Sequence, residues 1–488
     1  MAASTDSISN SKLFSPRAWG LPRAQIYKLG QSLYEFWDRF ADCFETSTRD
    51  CSHYALDFLS GLLRMTEGRN FSNISRMTGQ SPQNVQHFMT NSPWSAQEVL
   101  ARIREEIALE KAFSKGGALI LDESAQEKAS PLTIGAARQH NGRLGKIEMS
   151  QVGTFLAYAN SGLWMWIDGE LFLPKHWFSR AWAKQRKKLG LPPDRRFATK
   201  IELGWQMIKR VSEEGLAFEV ICFDTLYGRS YWLRRKMMGA GLVYFADVPS
   251  DTQVYMEKPE VGLRPHERGR PPTKPRVLSA DRPVEVSQLA TDSHTLWERV
   301  RVRASERGYL EDYFSARRVW TTQGGDEPVE EWLILRRDAE GKLHYALSNE
   351  AADATLERLA WGKCQRVFVE CANRDAKTEM GWDEMRAQKY PAWEHELALV
   401  CLATWFIAKT RLDWRERTPR DPELAREVGV EELPELSVSN VRELMRAAMP
   451  MPQLSVEGAT DLVVEHLINR ARSRKSRLKS MGYKHNLP

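Results

Sequence analysis

The sequence has few cysteines, and none of them forms a recognisable metal-binding or disulfide pattern. Six occur among 488 residues, and no two are spaced as a Cys-x2-Cys pair. Scattered thiols of this kind are typical of proteins in a reducing cytoplasm. The sequence therefore predicts neither a structural zinc site nor a disulfide framework.

Long apolar segments are also missing. The longest, Leu397 to Ala408, is shorter than the roughly 20 residues needed to span a bilayer, so we interpret it as a buried helix. The N-terminal residues Met-Ala-Ala-Ser-Thr-Asp include no basic segment leading into an apolar one, and no export signal is expected. With 42% hydrophobic and 27% charged residues, the composition is that of a soluble globular protein, and we expect a cytoplasmic location.

The modest net charge of +6 is unevenly distributed. Seven lysines and arginines and no acid occur from Arg470 to the end, among them Arg474 and Lys475. A basic tail can be a disordered solubilising end, but contact with nucleic-acid phosphates is the favoured interpretation.

A helix-turn-helix pattern follows a helical region over residues 21 to 65. A short helix through Ile74 and Met77 is followed by a turn at Gly79. A second helix, with Ser81 as its cap and Pro82 in its first turn, then buries Val85 and Phe88. Four polar side chains would face outward, where amides can pair with adenine edges: Gln83, Asn84, Gln86 and His87. Helix pairs with a glycine turn also occur without DNA.

The next block alternates strands and helices. Strands are predicted over residues 118–122, 151–158 and 163–173, and then over 217–224 and 242–247, with helices over 200–214 and 231–238 between them. This order is that of an α/β, ribonuclease-H-like sheet. The first and fourth strands are neighbours in such a sheet, so Asp122 and Asp224 at their ends would lie side by side. Acids at strand ends can also be simple caps.

Two regions separate that block from a later helix. Residues 257–283 are rich in proline, glycine and arginine, which indicates a loop. Strands are then predicted over residues 295–303, 313–321, 330–336 and 343–347. We interpret residues 251–354 as a β-rich insertion.

The stretch from Cys364 to Lys377 is predicted to be a helix that returns to the core. At about 100° per residue, Arg366, Glu370 and Lys377 lie on one face. On its own, such a face could be an ordinary solvated stripe of ion pairs.

Together, the three acids resemble the catalytic triad of DDE-type insertion-sequence transposases. Asp122 lies in Leu-Asp-Glu-Ser, Asp224 in Phe-Asp-Thr-Leu-Tyr-Gly, and Glu370 in Arg-x3-Glu-x6-Lys. The chain most resembles a bacterial cut-and-paste group with a Tyr-x2-Arg-x3-Glu-x6-Lys signature and a β-rich insertion between the second and third acids. The tyrosine of that signature falls on Lys363, which leaves the role of this position open.

The resemblance implies a site for two divalent ions. Mg²⁺ prefers carboxylate oxygens, and two ions about 3.5 to 4 Å apart can stabilise the attacking and leaving oxygens of a phosphoryl displacement. Asp122 would bridge both ions, with Asp224 on one and Glu370 on the other, and Mn²⁺ is expected to substitute. Arg366 and Lys377 would hold flanking phosphates.

Further DNA contacts are implied in the insertion. Related transposases use a tryptophan to hold a flipped base, and Trp332 matches it, although a tryptophan at the start of an apolar strand is usually core. Arg268 and Arg270 in the arginine-rich loop, and Lys363 by its charge, are also predicted to contact DNA.

The predicted domains are an N-terminal helical domain, the first part of the core, the insertion, the second part of the core and a C-terminal helical region with the basic tail. Their bounds are 1–110, 111–250, 251–354, 355–415 and 416–488.

The favoured function is that of a bacterial DNA transposase. It would bind terminal inverted repeats in duplex DNA as a homodimer, cleave the ends with Mg²⁺ and join them to target DNA, and it would be associated with the nucleoid. The alternatives are a DNA-binding regulator on an inactive nuclease scaffold and a structure-selective nuclease.

Overall fold

The computed structural model describes residues 12–141, 145–264, 270–280, 282–305, 308–452 and 455–480. These residues fall into two compact units, divided after Ala448. No helix in these ranges is long and apolar enough to cross a membrane.

The N-terminal part is helical, as predicted. Its helices and one small two-stranded ladder are α1 (Arg23–Tyr27), α2 (Leu29–Trp37), β1 (Glu45–Thr46), β2 (Arg49–Asp50), α3 (Ser52–Arg64), α4 (Phe71–Thr78), α5 (Pro82–Thr90) and α6 (Ala96–Leu109).

Helices α4 and α5 form the predicted pair. Gly79 ends α4 in the left-handed conformation, with φ of 73°, which glycine adopts without steric cost. Val85 and Phe88 on α5 are buried, as is Ile74 on α4. The helical pattern of this stretch is therefore confirmed.

A large mixed sheet follows. Its strands and the helices between them are β3 (Ala118–Glu127), β4 (Ala137–Asn141), β5 (Lys146–Asn160), β6 (Leu163–Phe172), α7 (Ala183–Lys188), α8 (Lys200–Glu213), β7 (Val220–Phe223), α9 (Thr225–Gly228), α10 (Tyr231–Gly239) and β8 (Tyr244–Val248).

Strand β3 is central. It pairs antiparallel with β5 and parallel with β7, and β7 pairs parallel with β8. The residues Ala-Leu-Ile-Leu at the start of β3 are all buried, as expected for a strand covered on both faces. The predicted adjacency of the first and fourth strands is confirmed. Strand β4, which pairs with β5, was not predicted.

The stretch that follows β8 is rich in strands. It contains β9 (Gln253–Val254), β10 (Val261–Gly262), β11 (Arg276–Val277), β12 (Val284–Glu285), α11 (Val286–Thr291), β13 (Glu298–Ser305), β14 (Gly308–Thr321), β15 (Val329–Arg337) and β16 (Leu343–Ser348).

Strands β13 to β16 extend the central sheet. They form an antiparallel series, and β16 pairs antiparallel with β8. Val248 of β8 also belongs to the apolar cluster that includes Val254, Leu333 and Leu347. The region and the core strands therefore share one sheet and one layer of packing.

The chain then returns to helices. They are α12 (Leu356–Cys364), α13 (Val367–Arg374), α14 (Tyr390–Arg417), α15 (Pro422–Val428), α16 (Val438–Ala448) and α17 (Val456–Ser480).

Helix α14 is the buried helix predicted from the apolar run. Every residue from Leu397 to Ala408 is buried. The helix packs against α3, α5, α6 and β6, so its apolar residues are covered on all sides. The N-terminal helices are thus held to the sheet through α14.

Candidate active site

Asp122 and Asp224 lie at adjacent positions on two parallel strands. The last residues paired between β3 and β7 are Leu121 and Phe223, and each is followed directly by one of the two acids. The carboxylate of Asp224 also caps α9, accepting a hydrogen bond from the backbone N–H of Leu226 at 3.0 Å. Capping and a place in a carboxylate pair are therefore compatible.

Both carboxyl groups are in an environment that disfavours their charge. Burial, followed by the charge of Asp224, raises the pKa of Asp122 to about 7. Burial and the nearby carboxylate of Glu123 also raise the pKa of Asp224. Without a cation, two neighbouring buried carboxylates repel each other, and a bound cation would relieve that repulsion.

Helix α13 contacts Asp122. The side-chain amide of Asn373 donates to a carboxylate oxygen of Asp122 at 3.5 Å, and Glu370 lies one turn earlier on the same helix. The Glu370 side chain is 56% exposed and its carboxylate is 2.7 Å from the guanidinium of Arg366. Among the described residues, no three His, Cys, Asp or Glu side chains are grouped closely enough to hold a metal ion together.

Arg366 lies among several acids rather than on an open surface. Its guanidinium is 3.3 Å from Asp247 as well as 2.7 Å from Glu370. Burial acts to lower its pKa, but four carboxylates outweigh burial and raise it. These are Asp247, Glu370, Asp122 and Asp224. Arg366 therefore provides the positive charge that partly balances the acids of this site.

The predicted single helix face is interrupted. Arg366 lies in the turn before α13, and the α-helix gives way to a π-helical turn at Asp375 to Glu379. Lys377 lies in that turn and is half-buried. The uniform rotation of about 100° per residue assumed from the sequence does not hold beyond Arg374. A π-helical turn contains more residues than an α-helical turn, so each residue rotates the chain about the helix axis by a smaller angle.

Lys363 is not placed to meet DNA in this structure. Its side chain is buried, and its ammonium is 2.6 Å from the carboxylate of Asp247. Trp332 is half-buried, with its indole N–H donating to the carbonyl of Ala351 at 2.9 Å and the guanidinium of Arg318 over its ring. Its ring is thus only partly in the core.

The predicted DNA-contacting residues of α5 are on the surface. The apolar residues of the same helix face inward. The four exposed residues are Gln83, Asn84, Gln86 and His87. The side-chain oxygen of Gln83 accepts a hydrogen bond from the hydroxyl of Ser81 at 2.8 Å.

The other predicted basic contacts are in separate places. Arg270 is exposed, and Arg268 lies outside the described residues. Arg474 and Lys475 are exposed on α17, a 25-residue helix. The second half of α17 is strongly basic, and the tail residues that the structure describes, up to Ser480, are part of this helix.

Three residues at the site were missed by sequence reasoning. Asn373 lies three residues after Glu370, a helical spacing that could have identified it. Glu123 follows Asp122 directly and forms an ion pair with Lys200 at 3.0 Å. Asp247 is the last residue but one of β8, the next parallel strand, and the predicted strand order could have singled it out.

The donor set fits a divalent cation. Asp122 and Asp224 are adjacent and supply hard oxygen ligands, and the positive charge of Arg366 acts on both of them. Glu370 is instead held in an ion pair with Arg366. Among the described residues, Asp122 and Asp224 are thus a pair of carboxylates that Glu370 does not join.

Two comparisons with known proteins bear on this site. The family model described as DDE superfamily endonuclease matches residues 39–308, which is more than half of the chain and includes Asp122 and Asp224 but not Glu370. A protein of Microchaete diplosiphon, named as a probable transposase for insertion sequence element IS701, is 25% identical over 199 residues. That match covers 40% of this chain and 49% of the relative, so it spans about half of the relative's length.

Proposed function

Because this chain belongs to the DDE superfamily of endonucleases, we propose that it is an insertion-sequence transposase. The observation that carries the proposal is the placement of Asp122 and Asp224 on adjacent parallel strands. The similarity to a protein named as a probable transposase supports the same assignment.

The proposed catalytic residues are Asp122, Asp224 and Glu370. The chemistry that bound Mg²⁺ or Mn²⁺ would supply is stabilisation of charge on the attacking and leaving oxygens of a phosphodiester. Asp122 and Asp224 would hold the metal ions. Glu370 would complete the site after giving up its ion pair with Arg366 and binding a metal ion instead. Arg366, once released, would be free to pair with a DNA phosphate.

The proposed DNA contacts extend beyond the acids. Exposed amides on α5 are suited to read base edges in a major groove, and the basic half of α17 is suited to contact phosphates. Trp332 could stack on a displaced base if the side chain of Arg318 moved from its ring. We leave Lys363 out of this proposed set because its ammonium forms an ion pair with Asp247.

The reaction also requires two DNA ends in one complex. A chain with one end-binding surface meets this requirement as a homodimer, and we propose that the dimer forms on terminal inverted repeats. Cleavage would then be followed by attack of each 3′ hydroxyl on target DNA, which exchanges one phosphodiester bond for another.

The test uses purified protein and linear DNA carrying the sequences that flank its coding frame. We expect new DNA ends with Mg²⁺ and none with EDTA. Asp122→Asn, Asp224→Asn and Glu370→Gln should each abolish cleavage while retaining DNA binding in a gel-shift assay. Asp353→Asn, which changes an exposed acid before α12, is the control and should cleave normally.

Three outcomes would overturn parts of this proposal. Full cleavage by one of the three variants removes that residue from the site. If the unaltered protein binds the DNA but does not cleave it with any of the divalent ions tested, the protein is a DNA-binding regulator. Cleavage of branched DNA without any requirement for terminal repeats indicates a structure-selective nuclease.

A further inference from the structure

A cavity lined by several charged side chains lies away from the acids. It has a volume of about 330 Å³ and is formed by the end of α14, the segment before α1 and the loops on either side of α15. Three arginines and a single acid line it: Arg411, Arg415, Arg420 and Glu435. The charged side chains of the lining therefore carry a net positive charge.

Glu435 is shared by all three arginines. One of its oxygens is 3.0 Å from Arg420, and the other is 3.5 Å from Arg411 and in contact with Arg415. One carboxylate cannot satisfy three guanidinium groups, each of which has five N–H donors. Guanidinium donors therefore remain available for another anion.

Arg411 provides the clearest unused donor. Its side chain is only 5% exposed, and among the described residues its Nε–H has no hydrogen-bond partner, which is uncommon for a buried polar atom. Burial lowers the pKa of Arg411 to about 10, and the charge of Asp375 only partly opposes this shift.

Arg415 is in a similar state. Burial, followed by repulsion from Arg411 and Arg420, lowers its pKa to about 10. One of its nitrogens donates to the carbonyl of Ser161 at 2.7 Å, which fixes the guanidinium at the wall of the cavity. The three cations are thus held close together by the fold, although they repel one another.

The cavity is distant from the carboxylate pair along the sheet. Ser161 lies in the hairpin that joins β5 and β6, and Ala159, two residues before it, pairs with Ala118 at the start of β3. Asp122 lies four residues after Ala118 on β3, and at strand spacing these two residues are on the order of 13 Å apart. A DNA strand that reached the acids could extend over this distance.

We propose that this arginine cavity binds a phosphate group of a nucleic-acid strand. Arginine forks match phosphate oxygens in geometry and charge, and the cavity has room for a phosphate together with its attached sugar. Glu435 acts as an internal anion that an incoming phosphate displaces. Its position in a loop, with the side chain 37% exposed, allows it to leave. The inference rests on the proposed function for the identity of the strand.

Isothermal titration of the full chain in chloride buffer tests this proposal with three probes. The probes are inorganic phosphate, deoxyadenosine 5′-monophosphate and a short 5′-phosphorylated oligonucleotide. Glu435→Gln removes the internal anion and should tighten binding of all three, by roughly tenfold for phosphate. Arg411→Met should weaken binding by a similar factor. Glu432→Gln, a change to an exposed acid in the same loop, is the matched control and should have no effect.

A purely structural role for these residues gives the opposite result. If Glu435 serves only to attach its loop to α14, Glu435→Gln lowers the melting temperature without improving phosphate binding, and the proposal fails. The proposal predicts tighter phosphate binding by Glu435→Gln. The test therefore remains decisive even if Arg411→Met does not fold.

The probes also separate the possible sources of the phosphate. Oligonucleotide binding that is tighter than phosphate binding and depends on Arg411 supports a strand phosphate. Arg411-dependent binding of phosphate or the mononucleotide alone overturns the strand assignment. Loss of cleavage in the test of the proposed function, with phosphate binding retained, would reject the transposase assignment and leave the cavity's anion site intact.

Discussion

The ammonium of Lys363 lies 2.6 Å from the carboxylate of Asp247, at the end of the third parallel strand of the sheet. Register explains why this contact matters. Phe223 pairs with Leu121 on one side and with Ala246 on the other, so Asp122, Asp224 and Asp247 follow at the same level. Lys363 neutralises the third of these acids, whereas the first two are the pair that, in the proposed function, would hold the divalent cation.

Replacing Lys363 should therefore destabilise the fold. Lys363→Met leaves Asp247 with only the longer contact to Arg366, and we expect the free energy of unfolding to fall by about 2 kcal/mol. Asp247→Asn in the same chain should recover most of that loss, because the unpaired charge is gone. Urea unfolding of both single variants and of the double variant measures the free energy of coupling between Lys363 and Asp247. If the two changes in unfolding free energy simply add, the predicted ion pair does not contribute to stability.

Asp122→Asn should stabilise the protein in EDTA. The substitution removes a buried carboxylate that is repelled by Asp224, and we expect a gain of about 2 kcal/mol at pH 8. Adding Mg²⁺ should raise the melting temperature of the unaltered protein by mass action but leave that of the variant nearly unchanged. An equal Mg²⁺ effect in both proteins would place the ion elsewhere.

Arg366→Met should make the carboxylate site more attractive to Mg²⁺. Removing a cation that faces Asp122, Asp224 and Glu370 increases the negative potential there, so Mg²⁺ binding followed by melting temperature should tighten severalfold. Arg374→Met, an exposed change at the end of α13, is the control. Weaker Mg²⁺ binding in Arg366→Met would show that Arg366 supports the site instead.

The exposed amides of α5 should affect DNA affinity but not folding. Gln86→Ala is expected to weaken binding to end DNA by about 1 to 3 kcal/mol, the range for a bidentate base contact. The free energy of unfolding should change by less than about 0.5 kcal/mol, because the side chain is exposed. Gln31→Ala, on the exposed face of α2, is the comparison, and equal binding by the two variants would exclude α5 as the reading helix.

A pH effect on stability should come from Glu394. Burial raises its pKa from the ordinary 4.5 to about 7, with Glu170 adding to the shift and Tyr390 and Arg195 opposing it. The folded protein therefore binds this proton more tightly than the unfolded chain. The stabilisation is present in full below pH 4.5 and is lost as the pH rises through 7.

Glu394→Gln should remove that pH dependence. The variant should be more stable than the unaltered protein at pH 8, by about 2 kcal/mol. At pH 4.5 the two proteins should differ little. Thermal unfolding across this range provides the measurement, and a variant that is less stable at pH 8 would contradict the shift.

The features that local sequence predicted well are those determined by short-range patterns. The continuous apolar run of β3 indicated a strand covered on both faces, and Gly79 followed by Ser81 and Pro82 indicated the turn and start of α5. The apolar residues of α14 follow one another almost without interruption, whereas a helix with one buried face has apolar residues only at every third or fourth position. This pattern correctly indicated burial on all sides.

The features that were not predicted depend on contacts between distant residues. Lys363 and Asp247 are 116 positions apart in the chain, and no local pattern reports such a pair. The π-helical turn at Asp375 is similar, since the carboxylate of that residue accepts a hydrogen bond from the indole of Trp164. The arginine cavity combines three parts of the chain around one glutamate, and its residues appear in the sequence as ordinary surface charges.

The shared pairing of β8 has a consequence for how the chain can be divided. Since β8 is bonded to β7 on one side and to β16 on the other, a fragment that stopped before residue 251 would expose the backbone donors and acceptors of β8 along a bare edge. Such an edge invites pairing with other molecules and aggregation. The N-terminal half should therefore be insoluble when it is produced alone.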